Sequence, residues 1–176
     1  MKDLSKIKLL VCDCDGVLTD GLIIYNSNGS EEKHFSAHDG MGFNILHHSD
    51  IEPVIITGRK SNVLDMRCQD LRIKFLFQEV RNKKKCLDKL LKKLKLTYDN
   101  VAYIGDDWND FNAMKDCALK IAPHNALYNF KITVDYVTEA SGGYGAVREA
   151  IEYILKNRGE FEIVLNAFLE DLAKSK

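Results

Sequence analysis

The sequence predicts an α/β fold, a doubly wound parallel sheet of Rossmann-like type carrying a short β-hairpin flap. Three observations predict it. Short apolar runs of strand length alternate with segments of helical periodicity along most of the chain. Glycines and polar residues follow these runs closely, as they do where a parallel sheet binds its ligand at the carboxyl ends of its strands. The chain has 176 residues, enough for one sizeable core and too few for a second full domain, so residues 1–176 are expected to form a single domain.

The elements follow in order. Ile7–Cys12 is an apolar run ending in acids and a glycine, the signature of a central strand. Residues 22–25, a Gly29-containing turn and residues 31–37 read as the β-hairpin flap, spanning 22–37. Gly42–Ser49 reads as a short helix, Ile51–Thr57 as the next strand, Ser61–Leu71 as a helix and Ile73–Phe77 as a strand. Asn82–Leu96 is a basic helix with Leu87, Leu90, Leu91 and Leu94 on one face; its lysines read as a solvated face opposite that apolar stripe. Asn100–Gly105 is a strand and Asp107–Asp116 a helix. Short strands at 119–122 and 135–138 and a helix at 145–157 complete the alternation. A helical tail at 160–176 follows, in which Phe161, Val164, Phe168, Leu169 and Leu172 recur at helical spacing; it fits either a helix docked on its own domain or one that binds a partner.

Composition narrows the function. Hydrophobic residues make up 45% and charged residues 29%, an ordinary globular balance rather than that of a disordered chain. With 25 Lys and Arg against 26 Asp and Glu, the net charge is −1, so neither nucleic acid nor an anionic membrane is an expected partner. No apolar run approaches the roughly 20 residues of a membrane span. The first residues lack the apolar core of a signal segment, so the cytoplasm is the expected compartment. The five cysteines are scattered and odd in number and suggest no disulfide framework. Cys12 and Cys14, either side of Asp13, read as two small buried hydrophobes.

Chemistry is expected where the strands end. After the first strand come Asp13, Asp15, Gly16, Thr19 and Asp20. After the second come Thr57, Gly58 and Arg59. Lys83 opens the basic helix after the third, and Asp106, Asp107 and Asp110 follow the fourth. A parallel sheet brings all of these to one edge. Carboxylates gathered there repel one another unless a cation lies among them. Oxygen ligands of this kind suit a hard ion such as Mg²⁺, particularly beside a substrate phosphate. A hydroxyl from Thr57 and an ammonium from Lys83 suit a phosphoryl group whose charge must be offset. The residues therefore imply Mg²⁺-assisted phosphoryl chemistry. A Gly-x-x-x-x-Gly-Lys-Ser/Thr phosphate loop is absent from the sequence.

These motifs resemble the haloacid dehalogenase superfamily. Asp13-Cys14-Asp15-Gly16-Val17-Leu18-Thr19 is similar to its first motif, Ile56-Thr57-Gly58-Arg59 to its second and Gly105-Asp106-Asp107-Trp108-Asn109-Asp110 to its fourth, with Lys83 at the place of the third-motif lysine. No cap-sized insertion is present. Residues 35–40, Arg67-Cys68 and 142–149 resemble the capless branch, whose members remove phosphate from eight-carbon and nine-carbon 2-keto-3-deoxy sugar acids.

The resemblance implies Asp13 as nucleophile through a phosphoaspartate, Asp15 as general acid and base, and Thr57 and Lys83 as phosphoryl partners. It implies a metal set of Asp13, Asp15 through its backbone carbonyl, Asp106 and Asp107, the last supporting the metal water or Lys83, with Asp110 a weaker candidate behind them. It implies substrate contacts at Gly16, Thr57, Gly58, Arg59 and Lys83, with Arg67, Arg148 and His38 as further candidates for the sugar acid. It also implies a homotetramer built through the hairpins, with each site completed by a neighbour. Arg59 tilts the expected substrate toward 3-deoxy-D-manno-octulosonate 8-phosphate, a lipopolysaccharide sugar precursor. His38, where the eight-carbon enzymes more often carry Arg or Lys, is a departure, and a nine-carbon 9-phosphate is the alternative substrate. A phosphoaspartate switch is the rival from another class, and Asp15 argues against it, since receiver switches lack a second acid two residues after the nucleophile. A non-catalytic assembly module is the remaining rival.

Overall fold

Alternation along the central strands decides the layers. The computed structural model describes residues 3–174; the ends of the chain, including the last two residues of the tail read as 160–176, lie outside the described residues. In β1 (Leu9–Cys12), Leu9 and Val11 point into one apolar cluster and Leu10 and Cys12 into the other. The same division holds for β4 (Glu52–Ile56) and β6 (Val101–Ile104), which flank β1 in parallel register. Strands buried on both faces need helices on both faces.

The sheet has six parallel strands in the order β5-β4-β1-β6-β7-β8, with β5 at Phe75–Phe77, β7 at Leu119–Ala122 and β8 at Tyr136–Val137. The chain starts in the middle, winds to one edge and returns to wind to the other, which places a topological switch beside β1. One face is covered by α1 (Ala37–Leu46), α2 (Asn62–Asp70), α6 (Ala146–Asn157) and α7 (Phe161–Lys174). The other is covered by α3 (Lys83–Leu94), α4 (Trp108–Met114) and the one-turn α5 (Tyr128–Lys131). Among the described residues no helix is long and apolar enough to cross a membrane.

The predicted α/β class and the succession of strands and helices stand, with one boundary corrected. Residues 31–37 do not continue as a hairpin strand: β2 (Ile24–Tyr25) and β3 (Glu31–Glu32) are two residues each. Helix α1 starts at Ala37 rather than Gly42 because Ser36 caps it, its hydroxyl accepting from the backbone N–H of His38 and Asp39. The tail helix docks on its own subunit. Val164 is buried, and Phe161, Leu165 and Phe168 pack on the core beneath it. Cys12 and Cys14 are buried in that core, and among the described residues no cysteine forms a disulfide.

Residues 142–149 act in the fold. The Asp39 carboxylate accepts from the backbone N–H of Arg148 at 2.8 Å, in the first turn of a helix whose cap residue, Gly145, has no side chain to do so. Glu149 accepts from Tyr136 Oη and from the backbone N–H of Glu139 and Ala140. That ties down the segment leading to Gly142, where any Cβ would strike the carbonyl of Gly16. The loop after β1 is therefore held from behind.

Candidate active site

Asp13 is the first residue beyond β1 and lies on the α3 side of the sheet, because Cys12 and Cys14 take the other side. Its backbone N–H donates to the Ile104 carbonyl, and Oδ1 accepts from Cys14 N–H at 2.7 Å. Lys83, the first residue of α3, brings its ammonium to 2.7 Å from Asp13 Oδ2 and 2.8 Å from Asp110 Oδ1. Tyr103 Oη also donates to Asp110 Oδ1, at 2.8 Å. All four residues are buried. Burial alone would strip Lys83 of its charge, but Asp110 and Asp13 outweigh it, and its pKa lies above the usual lysine value.

The carboxylates feel the opposite balance. Burial raises Asp13 and Asp110, and burial followed by the charges of Asp13 and Asp107 pushes Asp106 up to about 7. Oxygens of Asp13, Asp106 and Asp110 lie within 4.8 Å of one another, so three acids gather beside one ammonium that pairs with two of them. Asp110 Oδ2 is buried with no hydrogen-bond partner. A hard divalent cation fits this set: it would offset the surplus charge and accept carboxylate oxygens only. Gly16, at φ +87°, lets the loop pass Asp106, since a Cβ there would land on its carboxylate.

Asp13 and Asp106 form the floor of a cavity of about 350 Å³ that is also lined by Asp15, Thr57, Gly58, Arg59, Asp107, Trp108 and Asn109. Thr57 closes β4; its N–H donates to Phe77 O and its Oγ1 accepts from Arg59 N–H at 3.4 Å. Asp15 sits above the floor and pairs with Lys33 from the hairpin. Arg59 donates to Glu31 Oε1 at 2.6 Å and to Tyr25 Oη at 3.1 Å, and its Nε lies 3.7 Å from Asp15 Oδ2.

Several expected residues lie elsewhere. Asp107 lines the cavity, but its carboxylate caps α4 by accepting from Trp108 N–H, and it is outside the three-acid group. Asp110, read as the weaker candidate, is inside that group. The Asp15 side chain pairs with Lys33, while the group expected from Asp15 at the metal is its backbone carbonyl. Arg67 does not reach the cavity: it donates to the Ser36 carbonyl at 3.0 Å and lies over the Phe35 ring. Arg148 does not either; its backbone is bound by Asp39 and its side chain pairs with Glu152 one turn on. His38 is exposed on the first turn of α1, away from the cavity of this subunit.

Lys33, Glu31, Tyr25, Trp108 and Asn109 were missed by sequence reasoning. Trp108 and Asn109 follow the motif acids directly, and the strand-end rule extends to them. No sequence signal placed the hairpin residues, because only the folded hairpin brings Lys33 back to Asp15.

Comparison with known proteins agrees with this geometry. A family profile described as haloacid dehalogenase-like hydrolase matches residues 67–151. The 3-deoxy-D-manno-octulosonate 8-phosphate phosphatase KdsC of Escherichia coli is 42% identical over 162 residues, 92% of this chain and 86% of that protein. The chain belongs to the haloacid dehalogenase-like hydrolases. The Salmonella typhi phosphatase of the same name is 41% identical over 92% of this chain and 86% of its own. Among solved structures, the Moraxella catarrhalis octulosonate 8-phosphate phosphatase, in complex with magnesium, phosphate and KDO, superposes with a TM-score of 0.89 at 41% identity. That match covers 94% of this chain and 95% of the other. The cobalt-bound Haemophilus influenzae phosphatase gives 0.86 at 38% identity, covering 91% and 94%. Within this hydrolase family, the three-acid group, Lys83 and Thr57 lie at the strand ends where its chemistry is expected.

Proposed function

We propose that residues 1–176 form a single phosphatase domain that hydrolyses 3-deoxy-D-manno-octulosonate 8-phosphate to the sugar acid and inorganic phosphate. The observation that carries this reading is the meeting of Asp13, Asp15, Thr57 and Asp106 around one cavity, with Lys83 paired to Asp13, in a chain 42% identical to a phosphatase of that substrate.

Asp13 is the nucleophile: a carboxylate oxygen bonds to phosphorus as the bond from phosphorus to the sugar oxygen breaks. Lys83 fixes Asp13 and offsets charge on the phosphoryl oxygens, and the Thr57 hydroxyl donates to one of them. Asp15 gives its proton to the departing sugar oxygen. It then takes one from the water that opens the phosphoaspartate, so phosphate leaves and both acids return to their starting state. Asp13, Asp106 and the Asp15 backbone carbonyl would hold Mg²⁺, which supplies positive charge beside the transferring group. Asp110 keeps Lys83 in place. Arg59 meets the carboxylate of the sugar acid as a planar two-pronged donor.

Assembly through the hairpins belongs to this reading. Two-residue strands are too short to stand alone, and Leu22 and Ile23, just before β2, and Tyr25, within it, are exposed. A homotetramer joined there would bury that surface and close the cavities; loss of the tetramer on deleting residues 23–36 tests it. The compartment proposed is the cytoplasm, in keeping with cysteine thiols held as such in the core.

The function is tested by phosphate release with Mg²⁺ from the octulosonate 8-phosphate, a nonulosonate 9-phosphate and an aryl phosphate. The highest kcat/KM on the eight-carbon substrate is expected. A preference for the nine-carbon acid would replace the substrate, and no release from any of them by folded protein would overturn the assignment.

A further inference from the structure

A buried ammonium enters the site from the hairpin. The Lys33 side chain is 2% exposed, although Lys33 follows a two-residue strand at the surface. Bringing an ammonium out of water costs several kcal/mol unless its partners are well placed. Lys33 has two: the Asp15 carboxylate, through Oδ1, and Glu31 Oε1 at 3.8 Å. Glu31 in turn holds Arg59 at 2.6 Å, and Arg59 Nε returns to within 3.7 Å of Asp15 Oδ2. Acids and bases alternate around a closed ring of four side chains. Two come from the motif loops, Asp15 and Arg59, and two from the hairpin, Glu31 and Lys33.

The ring constrains Asp15 in particular. Asp15 lines the cavity and Lys33 does not, so Lys33 stands behind it. With Oδ1 tied to Lys33 and Oδ2 facing Arg59 Nε at 3.7 Å, beyond hydrogen-bond distance, rotation of the carboxylate is restrained and Oδ2 is the oxygen left to exchange protons with what the cavity holds. We propose that Lys33 is a positioning residue for Asp15, and that docking of the hairpin on its own subunit orients the acid and base of the reaction. This rests on the phosphatase reading above and adds to it: the hairpin is part of the catalytic apparatus of the subunit that carries it, as well as an assembly surface. A side chain with free rotation about its Cα–Cβ and Cβ–Cγ bonds would present that oxygen only part of the time, and proton transfer depends on placement within hydrogen-bond reach.

The test separates proton transfer from phosphoryl transfer. A sugar alkoxide needs a proton to leave, whereas 2,4-dinitrophenolate does not, and hydrolysis of the phosphoaspartate needs the base with either substrate. In Lys33→Met, turnover of the sugar phosphate should fall about 100-fold. With 2,4-dinitrophenyl phosphate the first burst of phenolate should stay within about threefold of wild type, followed by a steady rate reduced about 100-fold as the phosphorylated protein accumulates. Lys33→Arg should recover part of the loss. Equal losses in the burst and in sugar turnover would show a merely structural role and overturn the proposal, as would no loss in either. If Lys33→Met does not fold, Lys33→Arg alone is read by the same contrast: a loss confined to the proton-dependent steps supports the proposal, and an even loss or none overturns it. Asp13→Asn, run alongside, guards the underlying reading. If that variant still turns over, the phosphatase mechanism has failed; if it is inactive while Lys33→Met resembles wild type, only the role of Lys33 has failed.

Discussion

Arg59 and Lys83 on one side, and Arg67 and Arg148 on the other, are all cations that the sequence offers for the site, yet the fold uses them differently. The first pair reaches the cavity floor or its rim. The second pair is spent on the helical layer: Arg67 on the Ser36 carbonyl, Arg148 on Glu152. Arg59 follows β4 and Lys83 opens the helix that follows β5, so both start near strand ends, which a parallel sheet delivers to one edge. Arg67 and Arg148 lie within helices, where reach depends on which neighbour the helix packs against. Position relative to a strand end, more than charge, separates a site residue from a fold residue here.

The largest effect is expected at the floor. Asp13→Asn should lower kcat by at least about 1,000-fold while circular dichroism and melting stay close to wild type, since the amide keeps the shape and removes the nucleophile. Residual turnover well above that would end the covalent mechanism. Next comes the contrast between the arginines. Arg59→Ala should raise KM for the sugar phosphate about 10-fold to 100-fold, the worth of a charge-assisted contact. Arg67→Ala should leave KM within about twofold and cost about 1 kcal/mol of stability for its lost hydrogen bond, read by chemical denaturation. A KM change at Arg67 equal to that at Arg59 would break the distinction.

A smaller effect should appear in stability against pH. Asp106 titrates near 7 in the folded chain against a usual 3.8, and Asp13 is also raised, both first by burial. A carboxyl raised on folding leaves stability intact below pH 4 and lowers it as pH rises toward 7 and the folded state is forced to ionise. A divalent cation among the acids opposes that loss. The gain in Tm on adding Mg²⁺ to chelator-treated protein should therefore be larger at pH 8 than at pH 5. An equal gain at both would place the ion away from these carboxylates.

This division also explains what could be read beforehand. The sheet, its order of elements and the acids after β1 and β6 were legible because apolar runs and the residues that end them are local signals. The α1 boundary was not, since residues 31–37 satisfy a strand pattern and only the capping contacts of Ser36 choose the helix. Asp110 was ranked below Asp107, yet the turn of α4 sends Asp110 inward and leaves Asp107 to cap the helix. Lys33 was invisible for a related reason: its partner is 18 residues away, and only the folded hairpin closes that distance.

The most direct test is to trap the intermediate. Asp15→Asn protein mixed with 2,4-dinitrophenyl phosphate and Mg²⁺, a substrate whose leaving group needs no proton, and quenched in acid after the phenolate burst, should carry a phosphoryl group on the peptide containing Asp13, as read by mass spectrometry. Consumption of substrate with no phosphoryl group on that peptide, or with the group on another residue, would contradict the account.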